Sequence, residues 1–93
     1  MINWVVYILE CSDSSFYIGI TNDLERRIKT HNNGKGAKYT KSRLPVSLVC
    51  FWGVSDRSEA SKWEYKLKKL KRKQKESLIQ QRVDSIIESY KKL

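Results

Sequence analysis

The sequence predicts a small α/β (α+β) sandwich, with helices packed on a short, mainly antiparallel three-stranded sheet in the order ββαβαα. Three observations predict it. Two runs rich in β-branched and aromatic residues, WVVYILEC and FYIGIT, are split by the turn-like CSDSS. A third such run, VSLVCFWGV, follows a segment holding the only proline. The remaining stretches repeat apolar residues at helical spacing.

Residues 4 to 11 are apolar on both alternations, so this strand is expected at the centre of the sheet, covered on both faces. CSDSS links it to a second strand over 16 to 21, which makes the pair a hairpin. Asn22 with Glu25 forms a capping pattern that starts a helix near Asp23. In that helix Leu24, Ile28 and His31 face inward. NNGKGAKYTKSRLP, residues 32 to 45, reads as a loop. A third strand spans 46 to 54.

Asp56 with Glu59 offers a second capping box, and Ala60, Trp63, Leu67 and Leu70 share one face of the helix that follows. The opposite face is dense with lysine. A break near 73 to 76 precedes a last helix over about 76–93, with apolar positions Ile79, Val83, Ile86, Ile87, Tyr90 and Leu93. All 93 residues read as a single domain that includes this helix.

Lys and Arg number 19 against 10 Asp and Glu, a net charge of +9. Such an excess on a small domain points to a polyanion, nucleic acid before an acidic membrane surface. No apolar run is long enough to span a bilayer, and the N-terminus lacks the flanks of a signal peptide. Cys11 and Cys50 are far apart in apolar surroundings, the pattern of reduced core residues in a cytoplasmic protein. With a single histidine beside them, a zinc site is not expected.

Tyr7 and Tyr17 each sit within an apolar run. Here the residues resemble a family. VVY at 5 to 7 and YIG at 17 to 19 resemble the paired motifs of the GIY-YIG nuclease superfamily, nine residues apart, with Val5 and Val6 in place of Gly and Ile. Arg27 lies eight residues after Gly19, and His31 four further on, as R-x3-H. SEASKWEYKLKKL, 58 to 70, is similar to the helix that carries the family's metal-binding glutamate, and Glu64 is the matching position. The chain is most similar to the small stand-alone bacterial members, with YIL, YxGxTND, a GKGAxYT loop and a lysine-rich tail. It departs from those members that carry a late asparagine, offering only Gln74, Gln80 and Gln81 after Glu64.

The resemblance implies a metal-dependent endonuclease that hydrolyses DNA phosphodiester bonds, with repair or recombination as its setting. It gives Tyr7 the role of general base or water-orienting group, Tyr17 a supporting hydrogen bond, and His31 positioning or proton shuttling. Physical chemistry supports the assignments. Arg27 is always charged and forks onto phosphate oxygens. Glu64 can hold Mg²⁺ or Mn²⁺, because such an ion keeps several waters and needs only one or two carboxylates. Gly19 lets a phosphate approach the sheet closely. A phenol is a weak base partner at neutral pH, so nearby positive charge, from Arg27 or the metal, has to lower the Tyr7 pKa. In the loop, Lys35, Lys38, Lys41 and Arg43 can contact DNA backbone and Tyr39 can stack on a base; a plain mobile loop is the alternative.

A shared site carries a geometric requirement. Side chains alternate along a strand, so Tyr7 and Tyr17 face the same side only if the hairpin closes with an odd loop or a bulge. Taken singly, each residue has a plainer reading: core tyrosines, a satisfied histidine, a solvated arginine, a Glu64–Lys68 pair and a solvated lysine face. The joint pattern carries the nuclease reading. Two others remain: a non-catalytic nucleic-acid-binding module on the same fold, and a protein adaptor docking through its last helix. A protein partner for targeting is compatible with any of them. With no room for a separate DNA-reading domain in 93 residues, nonspecific or structure-selective cleavage is expected.

Overall fold

A computed structural model of the protein describes the backbone of residues 3–91 and the side chains of residues 3–82. The elements follow as β1 (Trp4–Glu10), β2 (Phe16–Thr21), α1 (Leu24–Asn32), α2 (Lys38–Lys41), β3 (Ser47–Val54), α3 (Arg57–Lys68) and α4 (Arg72–Lys91). The sheet order is β2-β1-β3, and both pairings are antiparallel. The central position of β1 follows from its sequence, because Val6, Tyr7, Ile8 and Leu9 are all buried. A strand apolar on both alternations is stable only with a layer on each face.

The two faces form two cores. Val6 and Ile8 pack with Ile18, Cys50, Val54 and, from α3, Ala60 and Leu67; Leu78 and Ile79 of α4 close this layer. Tyr7 and Leu9 pack with Cys11 and Val46 on the other face, under Leu24 and Ile28 of α1. Burying side chains of this size contributes roughly 1.5–3 kcal/mol each. Cys11 and Cys50 are free and buried in opposite cores, as expected of reduced core residues.

The hairpin loop is odd. Glu10 pairs with Phe16, which leaves the five residues 11 to 15 between them. Cys11 N–H donates to the Ser15 carbonyl at 2.8 Å, and Ser14 takes a left-handed φ of 67°. The β1–β2 register runs unbroken, and the register shift lies on the β3 side between Ile8 and Leu9.

Four local expectations need correction. The α1 cap is Asp23 itself, whose side chain accepts from Arg26 N–H, and not Asn22. The 32–45 stretch is not all loop, since it contains the single helical turn α2. The break in the C-terminal half comes at residues 69 to 71, earlier than the lysine run indicates. There Gln74 reaches back to accept from Lys71 N–H at 2.8 Å, so α4 starts at Arg72. Trp63 is 47% exposed although it shares the apolar stripe of α3. The Asp56 cap does form, with Glu59 N–H donating to it. Of the apolar positions expected in the last helix, the side chains of Val83, Ile86, Ile87, Tyr90 and Leu93 lie outside the described residues. Among the described residues, no helix is long and apolar enough to cross a membrane.

Candidate nuclease site

The odd loop decides the site. With Leu9 opposite Tyr17 and Tyr7 opposite Gly19, both tyrosines project from the same face of the sheet. Their rings lie 6.4 Å apart, centroid to centroid. Helix α1 brings His31 to the same place. Its ring meets Tyr17 edge-on at 5.2 Å, and its Nε2 lies 2.9 Å from the Tyr7 hydroxyl. Tyr7 is 1% exposed and His31 is fully buried.

The end of α1 explains how His31 is held. Gly34 takes φ 75°, and its N–H bonds the His31 carbonyl while Lys35 N–H bonds that of Thr30. This pair of bonds is the Schellman closure, and the left-handed position it needs suits glycine. Asn32 then ties the helix to the start of β3. Its amide donates to the Val46 carbonyl at 3.1 Å and its oxygen accepts from Val46 N–H at 2.8 Å.

Beyond the closure the chain turns back over the His31 ring. A Cβ on Gly36 would collide with the ring at Nδ1 and Cγ. Helix α2 then delivers Thr40, fully buried, whose Oγ1 lies 2.9 Å from His31 Nδ1 and donates to the Ala37 carbonyl at 3.0 Å. Thr40 and Gly36 were missed as site residues. They lie within GKGAKYT, but a four-residue turn has no periodicity to reveal which side chain faces inward.

Two electrostatic features follow from burial. The Tyr7 phenol is pushed above its ordinary value of 10.0, chiefly by desolvation. The nearby Arg27 guanidinium pulls the other way, but burial dominates, with Tyr17 and Glu64 adding to the rise. Arg27 thus acts in the expected direction, but in the free protein the net shift of the phenol is upward. His31 is held below its ordinary 6.5, first by burial and second by the Arg27 charge. Both groups are neutral at neutral pH.

Gly19 plays a different part from the one expected. A Cβ there would run into the Tyr7 hydroxyl and Cζ, so the Tyr7 ring, and not open space for a phosphate, fills the room above Gly19. Arg27 is half-buried and lines an open cleft with Thr21, Asn22, Asp23, Arg26 and Thr30. Glu64 comes from α3, which packs on the opposite face, yet its charge registers at the Tyr7 phenol. Its carboxylate is 26% exposed and pairs with Lys68 at 3.5 Å, so the plainer i,i+4 pairing is realised as well. No group of three or more His, Cys, Asp or Glu gathers among the described residues. The candidate donor set is thus one carboxylate, which suits a hard, water-retaining divalent ion and not a zinc cage.

The expected nucleic-acid residues divide. Lys35, Lys38 and Lys41 are exposed and make no ion pair among the described residues. Tyr39 stacks on Tyr17 at 6.2 Å with a 22° tilt, at the rim of the tyrosine pair. Arg43 is engaged within the fold. It bonds Asp13 at 3.0 Å and the Tyr39 carbonyl at 2.8 Å, and lies 3.9 Å above the Tyr39 ring. Two lysines of the α3–α4 region lie beside Tyr17 and Tyr39. Lys68 and half-buried Lys75 line a shallow cleft with Phe16, Tyr17, Ile18 and Tyr39. Nothing in the lysine run distinguished these two.

Residues 3–77 match the GIY-YIG catalytic domain. A UPF0213 protein of Halalkalibacterium halodurans is 53% identical over 77 residues, covering 83% of this chain and 82% of its own. The UPF0213 protein YazA of Bacillus subtilis is 51% identical over 83 residues, covering 89% and 84%. Among solved structures, the solution structure of a UPF0213 protein from Bacillus halodurans aligns with a TM-score of 0.55 at 52% identity, over 83% of this chain and 82% of that one. A solution structure of a protein from E. faecalis aligns with a TM-score of 0.59 at 44% identity, over 87% and 90%.

Proposed function

The chain belongs to the GIY-YIG catalytic-domain family, and on that premise we propose that it is a metal-dependent endonuclease, nonspecific or structure-selective, that hydrolyses DNA phosphodiester bonds. One observation carries the reading. The Tyr7 phenol, the His31 imidazole and the Arg27 guanidinium meet, within range of the Glu64 charge. That set supplies a proton path, a clamp for phosphoryl charge and an anchor for a cation.

The roles follow from each group's chemistry. Arg27 holds the scissile phosphate through the open side of its cleft. Tyr7 accepts the proton of the attacking water as its own proton passes to His31 Nε2, so no free phenolate is needed. Tyr17 and Tyr39 wall the site and stack on the substrate's bases. Lys35, Lys38 and Lys41 contact backbone phosphates. Glu64 would hold Mg²⁺ or Mn²⁺ in exchange for its pairing with Lys68. When bound there, the ion supplies Lewis-acid stabilisation of charge on the phosphoryl oxygens.

The Glu64–Lys68 pair also favours a second reading, a DNA-binding module without chemistry. One experiment separates them. Plasmid and branched DNA, the latter as a repair or recombination intermediate, are incubated with the protein plus Mg²⁺ or Mn²⁺, or plus chelator. Arg27→Ala and Glu64→Ala run in parallel. Cleavage that needs metal and disappears in both variants supports the endonuclease. Equal cleavage by all three proteins would expose a contaminant. Salt-sensitive binding without cleavage, unchanged in Glu64→Ala, would establish the binding module.

A further inference from the structure

We propose that Thr40 is a positioning residue that sets the tautomer of His31, holding the proton on Nδ1 so that Nε2 is free to take the Tyr7 proton. The inference rests on the endonuclease reading for its consequence in catalysis, but its structural content stands on the hydrogen bonds alone.

The argument is one of counting hydrogens. A neutral imidazole carries one N–H and one lone pair, and the partner of one nitrogen decides the state of the other. Thr40 has one hydroxyl hydrogen and two short contacts, the Ala37 carbonyl at 3.0 Å and His31 Nδ1 at 2.9 Å. A carbonyl only accepts, so the Thr40 hydrogen belongs to Ala37 and Oγ1 accepts from Nδ1–H. The opposite assignment sets two oxygens 3.0 Å apart with no hydrogen between them. At the other end, the buried Tyr7 hydroxyl has one acceptor among the described residues, His31 Nε2 at 2.9 Å. With no other acceptor in reach among those residues, the phenol hydrogen points at His31. Both ends of the ring therefore require the same tautomer.

One group opposes it. Ala37 N–H also faces Nδ1, but at 3.5 Å, beyond the 2.7–3.2 Å of ordinary N–H hydrogen bonds. It becomes the nearest remaining partner if the Thr40 hydroxyl is removed. Loss of that hydroxyl should then move the ring proton to Nε2, which would donate to Tyr7 and close the acceptor.

The catalytic consequence balances. Water gives one proton to the Tyr7 oxygen as Tyr7 gives its own to Nε2; the resulting hydroxide forms a bond to phosphorus as the bond to the leaving ester oxygen breaks, and that oxygen takes a proton from solvent. His31 becomes an imidazolium, bonded to Thr40 through Nδ1–H and to Tyr7 through Nε2–H, and returns its extra proton to solvent after cleavage. Thr40 touches no reacting atom. Its part is to keep one lone pair aimed at one hydroxyl.

His31 is the only histidine in the chain, so ring ¹⁵N spectra report on it without assignment ambiguity. Spectra are recorded at mildly alkaline pH for wild type, Thr40→Ser and Thr40→Val. Wild type and Thr40→Ser should show a protonated Nδ1 and a lone pair on Nε2; Thr40→Val should show the reverse. In parallel, DNA cleavage by Thr40→Val should lose about 100-fold in kcat, the low end of the range for a disabled acid–base relay. KM should be unchanged and Thr40→Ser should restore the rate. A wild-type ring protonated on Nε2 would overturn the inference without recourse to any variant. So would a Thr40→Val ring that keeps its proton on Nδ1. If no protein cleaves DNA, the endonuclease reading fails, while the spectra still decide what Thr40 does.

Discussion

Gly19→Ala places one methyl group against the centre of the site, and its cost can be worked from the packing. The new Cβ would overlap the Tyr7 hydroxyl and Cζ. Tyr7 cannot yield freely, because it is 1% exposed and packed among Leu9, Cys11 and Val46. In an open strand position the substitution would stabilise by about 0.5–1 kcal/mol through lost unfolded-state entropy. Here overpacking costs about 1–3 kcal/mol. If the phenol swings off His31, a net hydrogen bond of about 0.5–1.5 kcal/mol goes with it. The balance is a loss of roughly 1–3 kcal/mol, a fall in Tm of about 5–20 °C for a domain of this size. Thermal and urea unfolding followed by circular dichroism measures it. Tyr7→Phe in the same background removes the clashing oxygen but leaves Cζ, so the double mutant should be less destabilised than the sum of the two singles. A Gly19→Ala protein as stable as wild type, with additive behaviour in the double mutant, would refute the claim that Tyr7 fills the space above Gly19.

Three further outcomes are expected. Burial and Arg27 hold His31 below 6.5 in the fold, so below that value the unfolded chain binds more protons. The stability this group contributes is complete above 6.5 and is lost as pH falls toward and through the folded value; urea midpoints should show that slope, and His31→Gln should flatten it. Asn32→Ala removes both bonds to Val46 and leaves a partly buried carbonyl and N–H without their partner, a loss of about 1–3 kcal/mol by the same unfolding assays. Replacing Lys35, Lys38 and Lys41 together by Gln should flatten the slope of log K against log salt for duplex DNA by up to about 2.7, at about 0.9 per phosphate contact. An unchanged slope would mean that these lysines do not meet the backbone.

The parts legible in the sequence are those where one residue type has one physical use. A strand apolar on both alternations must be central, and β1 is. The requirement that Tyr7 and Tyr17 share a face reduced to the parity of one loop, and the five-residue loop satisfies it. Asp56 caps α3 because a short acidic side chain before an apolar-periodic run has a free N–H to accept from. What stayed hidden depends on contacts between distant segments. Thr40 is nine residues from His31, in a turn too short to show a pattern. Arg43 resembles any exposed cation until Asp13, thirty residues away, is seen to hold it. The net direction of the Tyr7 shift is hidden because burial, absent from a sequence, outweighs the Arg27 charge that acts to lower the phenol. The break before α4 was misplaced because one glutamine side chain, Gln74, ends the lysine run's apparent continuity.

The net charge of +9 takes on a different meaning once the cations are sorted by partner. Lys29, Arg43, Lys68 and Arg72 face carboxylates, three of them within one helical turn on an exposed surface. Such exposed pairs are worth little and orient nothing beyond their own helix. Arg27 is the contrary case. It is half-buried, its charge acts on a phenol instead of a carboxylate, and no ion pair neutralises it among the described residues. A guanidinium partly withdrawn from water without an anion carries an electrostatic cost that packing alone has no reason to incur. A phosphoryl group at the open side of its cleft would remove that cost. It would also place the phosphorus on the side of the Tyr7 hydroxyl, which shares a hydrogen bond with the neutral His31 imidazole. The same logic separates Lys68 from Lys35, Lys38 and Lys41. On the proposed endonuclease reading, Lys68 would leave its carboxylate only if a stronger cation took its place on Glu64, whereas the loop lysines have no ion pair among the described residues to give up before meeting a DNA backbone.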